Sequence, residues 1–199
     1  MKFKETPQFF FFTAECSNCK IDLNGEVVSQ AALLESKDFF LANGVISKDH
    51  KYKQTKNGRQ IYDERYVIGE PVSVFKRGDS TWITGKLYKN NPLARIAIEL
   101  LRRGSNKVKA SIGGTCRRAV TVSTRKKVVI SILWCEVSLT TTPANNTLQP
   151  VRGVIEKSIK LADIKIRKMQ KNVRAVSSLE DIYGIVWPPK AKGRLSWVK

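Results

Sequence analysis

A chain of 199 residues with 42% hydrophobic and 9% aromatic content is long enough for one ordinary domain with a modest appendage, and too apolar to be disordered throughout. Its 36 Lys and Arg against 17 Asp and Glu leave a formal charge of +19, which calls for an anionic partner without distinguishing nucleic acid from an acidic protein surface. No apolar run nears the roughly 20 residues needed to cross a bilayer, and the phenylalanine run at 9–12 is too short for a signal-peptide core, so an intracellular chain with no membrane role is expected.

Residues 8–13 read as a strand from their aromatic density. Cys16 and Cys19 form a CxxC, but Cys116 and Cys135 lie far apart and supply no second close pair. Free thiols in a reducing compartment are therefore expected rather than a structural zinc site. Asn24-Gly25 marks a turn, residues 29–34 and 36–43 have helical character, and Asn43-Gly44 stops the second helix. A short strand at 45–47 then delivers the chain to Asp49 and His50, the sole histidine.

Residues 51–66 carry Lys51, Lys53, Lys56, Arg59 and Arg65 around Asn57-Gly58, which predicts an exposed loop or hairpin tip. Alternation predicts strands at 71–76 and 81–88, joined by Arg77-Gly78-Asp79-Ser80. Pro92 opens a helix whose apolar stripe is Leu93, Ile96, Ala97, Leu100 and Leu101, closed by Gly104. Residues 109–112 read as a short strand interrupted by Gly113-Gly114, with longer strands at 118–123 and 127–139. In the last of these, strict alternation puts Glu136 on one face with Val128, Ile130, Ile132 and Trp134. A carboxylate on so apolar a face is costly unless the charge has a partner.

Beyond residue 152 the composition shifts. Ile155, Ile159, Ala162, Ile166 and Met169 form a heptad-like seam, and residues 151–199 hold 12 Lys and Arg against four Asp and Glu. The expected fold is α+β: a mostly antiparallel, β-barrel-like body with flanking helices over 1–152, then a basic helical extension and tail over 153–199.

A nucleophilic serine needs a base within reach and a third group to orient that base. Ser111 sits in Ala110-Ser111-Ile112-Gly113-Gly114, where small residues let a substrate backbone approach and leave N–H groups for an oxyanion. With one imidazole in the chain, any such base is His50. The run is not the GxSxG elbow of α/β-hydrolases.

Four blocks follow in order: Gly85-Lys86-Leu87; Glu99-Leu100-Leu101-Arg102-Arg103-Gly104; the Ser111 run; and Glu136-Val137-Ser138-Leu139-Thr140 with Pro143-Ala144-Asn145. Together the stretch 82–152 resembles the prohead protease family of tailed phages, capsid maturation serine proteases distantly similar to herpesvirus assemblins. Asp49-His50 and Ile68-Gly69 resemble the family's histidine segment more loosely, because Asp49 precedes the histidine and a basic insertion delays Val67-Ile68-Gly69.

The resemblance implies a serine endopeptidase with Ser111 as nucleophile, His50 as general base and Glu136 as third member, with Asp49 the alternative for that place. Gly113, Gly114 and the 142–145 loop are expected to supply oxyanion N–H groups. The implied substrates are the scaffold protein, the major capsid protein and the protease itself, inside the assembling prohead in the host cytoplasm, with no metal or organic cofactor. The basic extension would dock on scaffold. The basic surface also admits non-specific nucleic-acid contact, and a homo-oligomer is compatible with the chain. The rival expectation is a basic nucleic-acid-binding or structural virion protein without catalytic activity.

Overall fold

The computed structural model describes residues 3–56, 59–124 and 126–154. In chain order these form β1 (Phe9–Asn18), β2 (Glu26–Val28), α1 (Gln30–Glu35), α2 (Lys37–Asn43), β3 (Val45–Lys48), β4 (Lys53–Lys56), β5 (Arg59–Tyr62), a 3-10 turn (Glu64–Tyr66), β6 (Val67–Arg77), β7 (Ser80–Tyr88), α3 (Pro92–Arg102), β8 (Lys109–Ser123), β9 (Lys126–Thr140) and β10 (Arg152–Gly153). Strands dominate and the helices are few. No described helix is long and apolar enough to cross a membrane.

Local chemistry explains the helix ends. Ser29 caps α1 by accepting from Ala32 N at 3.1 Å. Asn91 caps α3 by accepting from Leu93 N and Ala94 N at 2.8 and 3.1 Å, and Pro92 follows at the first helical position, where its missing N–H costs nothing. Gly104 takes the left-handed conformation just past α3, with φ of 72°. The basic stretch after His50 is a hairpin: β4 and β5 pair as a separate two-stranded sheet, with Tyr52 and Tyr62 in ring contact at 5.5 Å.

The main sheet runs β10-β1-β7-β6-β3-β9-β2, and β8 also pairs with β9. It is mixed, because β2 and β3 lie parallel to β9 while the other pairings are antiparallel. The expected barrel does not close. β8 comes near β1 without a hydrogen-bonded register between them. Part of the β1 edge is taken by the segment after β9: β10 pairs with Phe12 and Thr13, and Val154 N donates to Phe11 O at 3.1 Å. The sheet stays open along the β1–β8 gap.

Glycines 113 and 114 do not interrupt the strand as expected. β8 runs unbroken from Lys109 to Ser123, and register shifts absorb the irregularities. Inside the sheet's curve Phe10, Phe12, Leu33, Ile46, Ile83 and Val137 form the core. α2 is fastened to β9 by Phe40 stacking on Trp134, ring centroids 4.0 Å apart and 7° from parallel. Beyond its first two residues, the extension placed at 153–199 lies outside the described residues.

Candidate active site

β9 is the middle strand of the site, with β3 parallel on one side and β8 antiparallel on the other. Ser138 of β9 is paired with Ser47 of β3 and with Ser111 of β8, so three serines form one row across three strands. Directly paired residues share a face, and their Cα atoms lie roughly 4.5–5.5 Å apart in an antiparallel pair. In the next row Ile46, Val137 and Ile112 face the core. Gly113, Glu136 and Val45 make the row after that, on the serine face again.

Strict alternation had placed Glu136 beside Trp134. The structure separates them, because Gly113 pairs with Glu136 while Gly114 pairs with Trp134, leaving Cys135 as an extra residue in β9. Such a bulge inverts the facing of everything beyond it. Trp134 therefore turns into the core, fully buried on Phe40, and Glu136 turns to the serine face.

His50 reaches this face from the end of β3. Asp49 and His50 both adopt left-handed backbone, with φ of 55° and 54°, an uncommon conformation for two successive non-glycine residues. The turn is held by Asp49 N donating to Leu139 O at 3.3 Å, His50 N to Ser138 Oγ at 2.8 Å, and Lys51 N to Lys48 O at 3.1 Å. It swings the imidazole over β9, where Nδ1 lies 3.1 Å from Glu136 Oε2. The Ser47 hydroxyl donates to the other carboxylate oxygen, Oε1. Burial works to raise the Glu136 pKa, but the His50 and Ser47 hydrogen bonds and the charges of His50 and Lys53 outweigh it and hold it below the usual range. An ionised Glu136 only accepts, so Nδ1 carries a proton, and in the neutral imidazole Nε2 is then the nitrogen without one.

Asp49 serves elsewhere. It pairs with Lys48, and although burial works to raise its pKa, hydrogen bonds from Lys48 and Thr140 keep it low. Between the two candidates for third member, the carboxylate in contact with His50 is Glu136.

Ser111 sits one strand from Ser138 on the same face and is 5% exposed. A cavity of about 60 Å³ adjoins it in the β1–β8 gap, lined also by Cys16, Asn18, Asp22 and Glu26, with Ala144 and Asn145 of the expected oxyanion loop at its rim. Gly113 has a different necessity from the one the sequence suggested. A Cβ there would run into Glu136 Oε2, so glycine makes room for the carboxylate.

Ser47 and Ser138 were not singled out in the sequence. The available signals were Ser138 two residues beyond Glu136, hence on its face, and a lone polar residue in Val45-Ile46-Ser47. All four cysteines are free. Cys16 Sγ donates to Thr81 O from the core, and Cys19 Sγ to Asp79 O at the surface. Among the described residues no group of three or more His, Cys, Asp or Glu is placed to hold a metal ion.

No family model matches the chain, and no curated protein matches it. Among solved structures, the bacteriophage T4 capsid assembly protease, gp21, is similar at 9% identity over 70% of this chain and 100% of that chain, with a TM-score of 0.49.

Proposed function

We propose that this chain is a serine endopeptidase of prohead maturation, with Ser111 as nucleophile, His50 as general base and Glu136 as the group that orients the base and stabilises its imidazolium. The observation that carries the reading is the 3.1 Å contact between His50 Nδ1 and a buried Glu136 oxygen on the face that Ser111 shares. That contact fixes which ring nitrogen is protonated and leaves Nε2 to take the Ser111 proton as the hydroxyl attacks a scissile carbonyl. His50 then protonates the leaving amine, and a water activated by the same nitrogen releases the acyl-enzyme. Glu136 stabilises the imidazolium through both steps.

Peptide enters by the β1–β8 gap, where the cavity beside Ser111 receives a substrate side chain. N–H groups near Gly113 and at Ala144 and Asn145 stand as oxyanion donors, since Thr142 N is held by Thr140 Oγ1 and Pro143 has none. Scaffold protein, major capsid protein and the chain itself are the substrates on this reading, which follows from the four ordered sequence blocks.

Co-expression of capsid and scaffold proteins with either the wild-type chain or Ser111→Ala tests it. Processing is expected with wild type only, since loss of a catalytic serine costs about 10⁶-fold in kcat. Equal processing in both, or none in either together with salt-sensitive DNA binding, would favour the basic virion protein that the +19 charge also suits.

A further inference from the structure

Two serines that make no nucleophile in the scheme above are nonetheless tied to its other two members. Ser47 and Ser138 are both fully buried, at neighbouring positions of β3 and β9 where an apolar side chain would be the ordinary occupant. Each hydroxyl has a specific partner. Ser47 donates to Glu136 Oε1, and Ser138 accepts the backbone N–H of His50 at 2.8 Å. Neither contact belongs to the strand ladder.

The two bonds fix different degrees of freedom. A glutamate carboxylate rotates freely about its terminal bond unless both oxygens are held. His50 holds Oε2 and Ser47 holds Oε1, so the plane of Glu136 is set by a donor on each side. The His50 backbone, in turn, lies in the left-handed region directly after another left-handed residue, a pairing that persists only when its surroundings impose it. The Ser138 hydroxyl accepts from that backbone, and Ser138 is itself the β9 partner of Ser111. A single residue thus holds the base's backbone against β9, the strand that pairs with the nucleophile's.

We infer that Ser47 and Ser138 are positioning residues of the Ser111–His50–Glu136 site: Ser47 orients the carboxylate, and Ser138 latches the strained His50 turn so that the imidazole stays against Glu136. The inference rests on the catalytic reading for its kinetic consequence, but its geometric content can be measured without turnover.

Because the chain has one histidine, its imidazole signals in a proton NMR spectrum all belong to His50. In full-length Ser111→Ala protein, which cannot turn over on this reading, the Nδ1 proton bonded to Glu136 is expected downfield and protected from exchange. Adding Ser47→Ala or Ser138→Ala should speed its exchange with water by about tenfold or more, while Ser138→Thr, which keeps the hydroxyl, retains a protected proton. With Ser111 intact, each alanine variant should lower kcat by about 10²-fold and leave KM within about twofold, as for a displaced catalytic group. Asp49→Gly combined with Ser138→Ala should recover part of the loss, because glycine takes a left-handed φ without strain.

An unchanged Nδ1 proton in both alanine variants overturns the inference, and so does a loss confined to KM. Thermal melts of the same proteins identify a variant that has merely unfolded, in which case Ser47→Ala and Ser138→Thr carry the test. Cleavage that survives Ser111→Ala sinks the catalytic reading instead, and the exchange rates still report whether the two serines hold the imidazole.

Discussion

At the scale of single residues, the site depends on where one carboxylate points. Glu136 accepts from His50 on one oxygen and from Ser47 on the other, and Gly113 vacates the space its side chain needs. Replacing Glu136 by Gln keeps the shape but gives the imidazole an amide that can present N–H to Nδ1 and stabilise the wrong tautomer. A fall in kcat of about 10⁴-fold with a small change in KM is expected, read from peptide hydrolysis under saturating substrate. A fall no larger than tenfold would mean that Glu136 does not orient the base. Ser111 and His50 are singled out in the sequence by the ordered blocks around the serine and by the lone imidazole. Glu136 was legible for a physical reason: a charge among apolar strand neighbours requires a partner. Its actual facing was not, since that turned on the bulge at Cys135.

At the scale of elements, periodicity and caps carried most of the reading. α3 starts and stops where Pro92 and Gly104 indicate, and α2 ends at Asn43 before Gly44 as expected. Asn91 does more than cap. While its Oδ1 accepts from Leu93 and Ala94, its Nδ2 donates to Val67 O at 3.0 Å and so ties α3 to the start of β6. Asn91→Ala should lower stability by about 1–2 kcal/mol, seen as a lower urea midpoint at unchanged slope. No change in midpoint would show that the helix start is held by packing alone. What alternation missed were irregular strand positions: Gly113-Gly114 looked like a break and proved to lie within one long strand. A bulge depends on how two strands meet, and neither strand's own pattern reveals it.

Over the whole molecule, several carboxylates are held below their ordinary range in the folded state. In Glu136, Asp49, Glu70 and Glu5 alike, burial works against ionisation. Hydrogen bonds and charges from His50 and Ser47, from Lys48 and Thr140, from Lys86 and Tyr88, and from Lys89 and Arg102, respectively, outweigh it. Because these groups bind protons more weakly folded than unfolded, their contribution to stability is present above the unfolded carboxylate values of about 4 and is lost as pH falls through the folded ones. Thermal melts should therefore show Tm dropping steeply below about pH 4, with a shallower drop in Glu136→Gln. Equal acid sensitivity in the variant would remove Glu136 from that account.

The same whole-molecule view separates what sequence determined from what tertiary structure decided. Sequence determined the strand-rich body and the helices with their ends, because propensity, capping and hydrophobic period act over a few neighbours. Closure of the sheet and the assembly of the site were decided only in three dimensions. Whether the sheet closed depended on which segments reached the β1 edge, and β10 took Phe12 and Thr13 there. Whether His50 met Glu136 depended on the register that sets Ser111, Ser138 and Ser47 in one row, and on the extra residue in β9 that turns Glu136 toward it. Both outcomes follow from contacts between segments distant along the chain, and no local pattern in any one of them encodes the partner it will find.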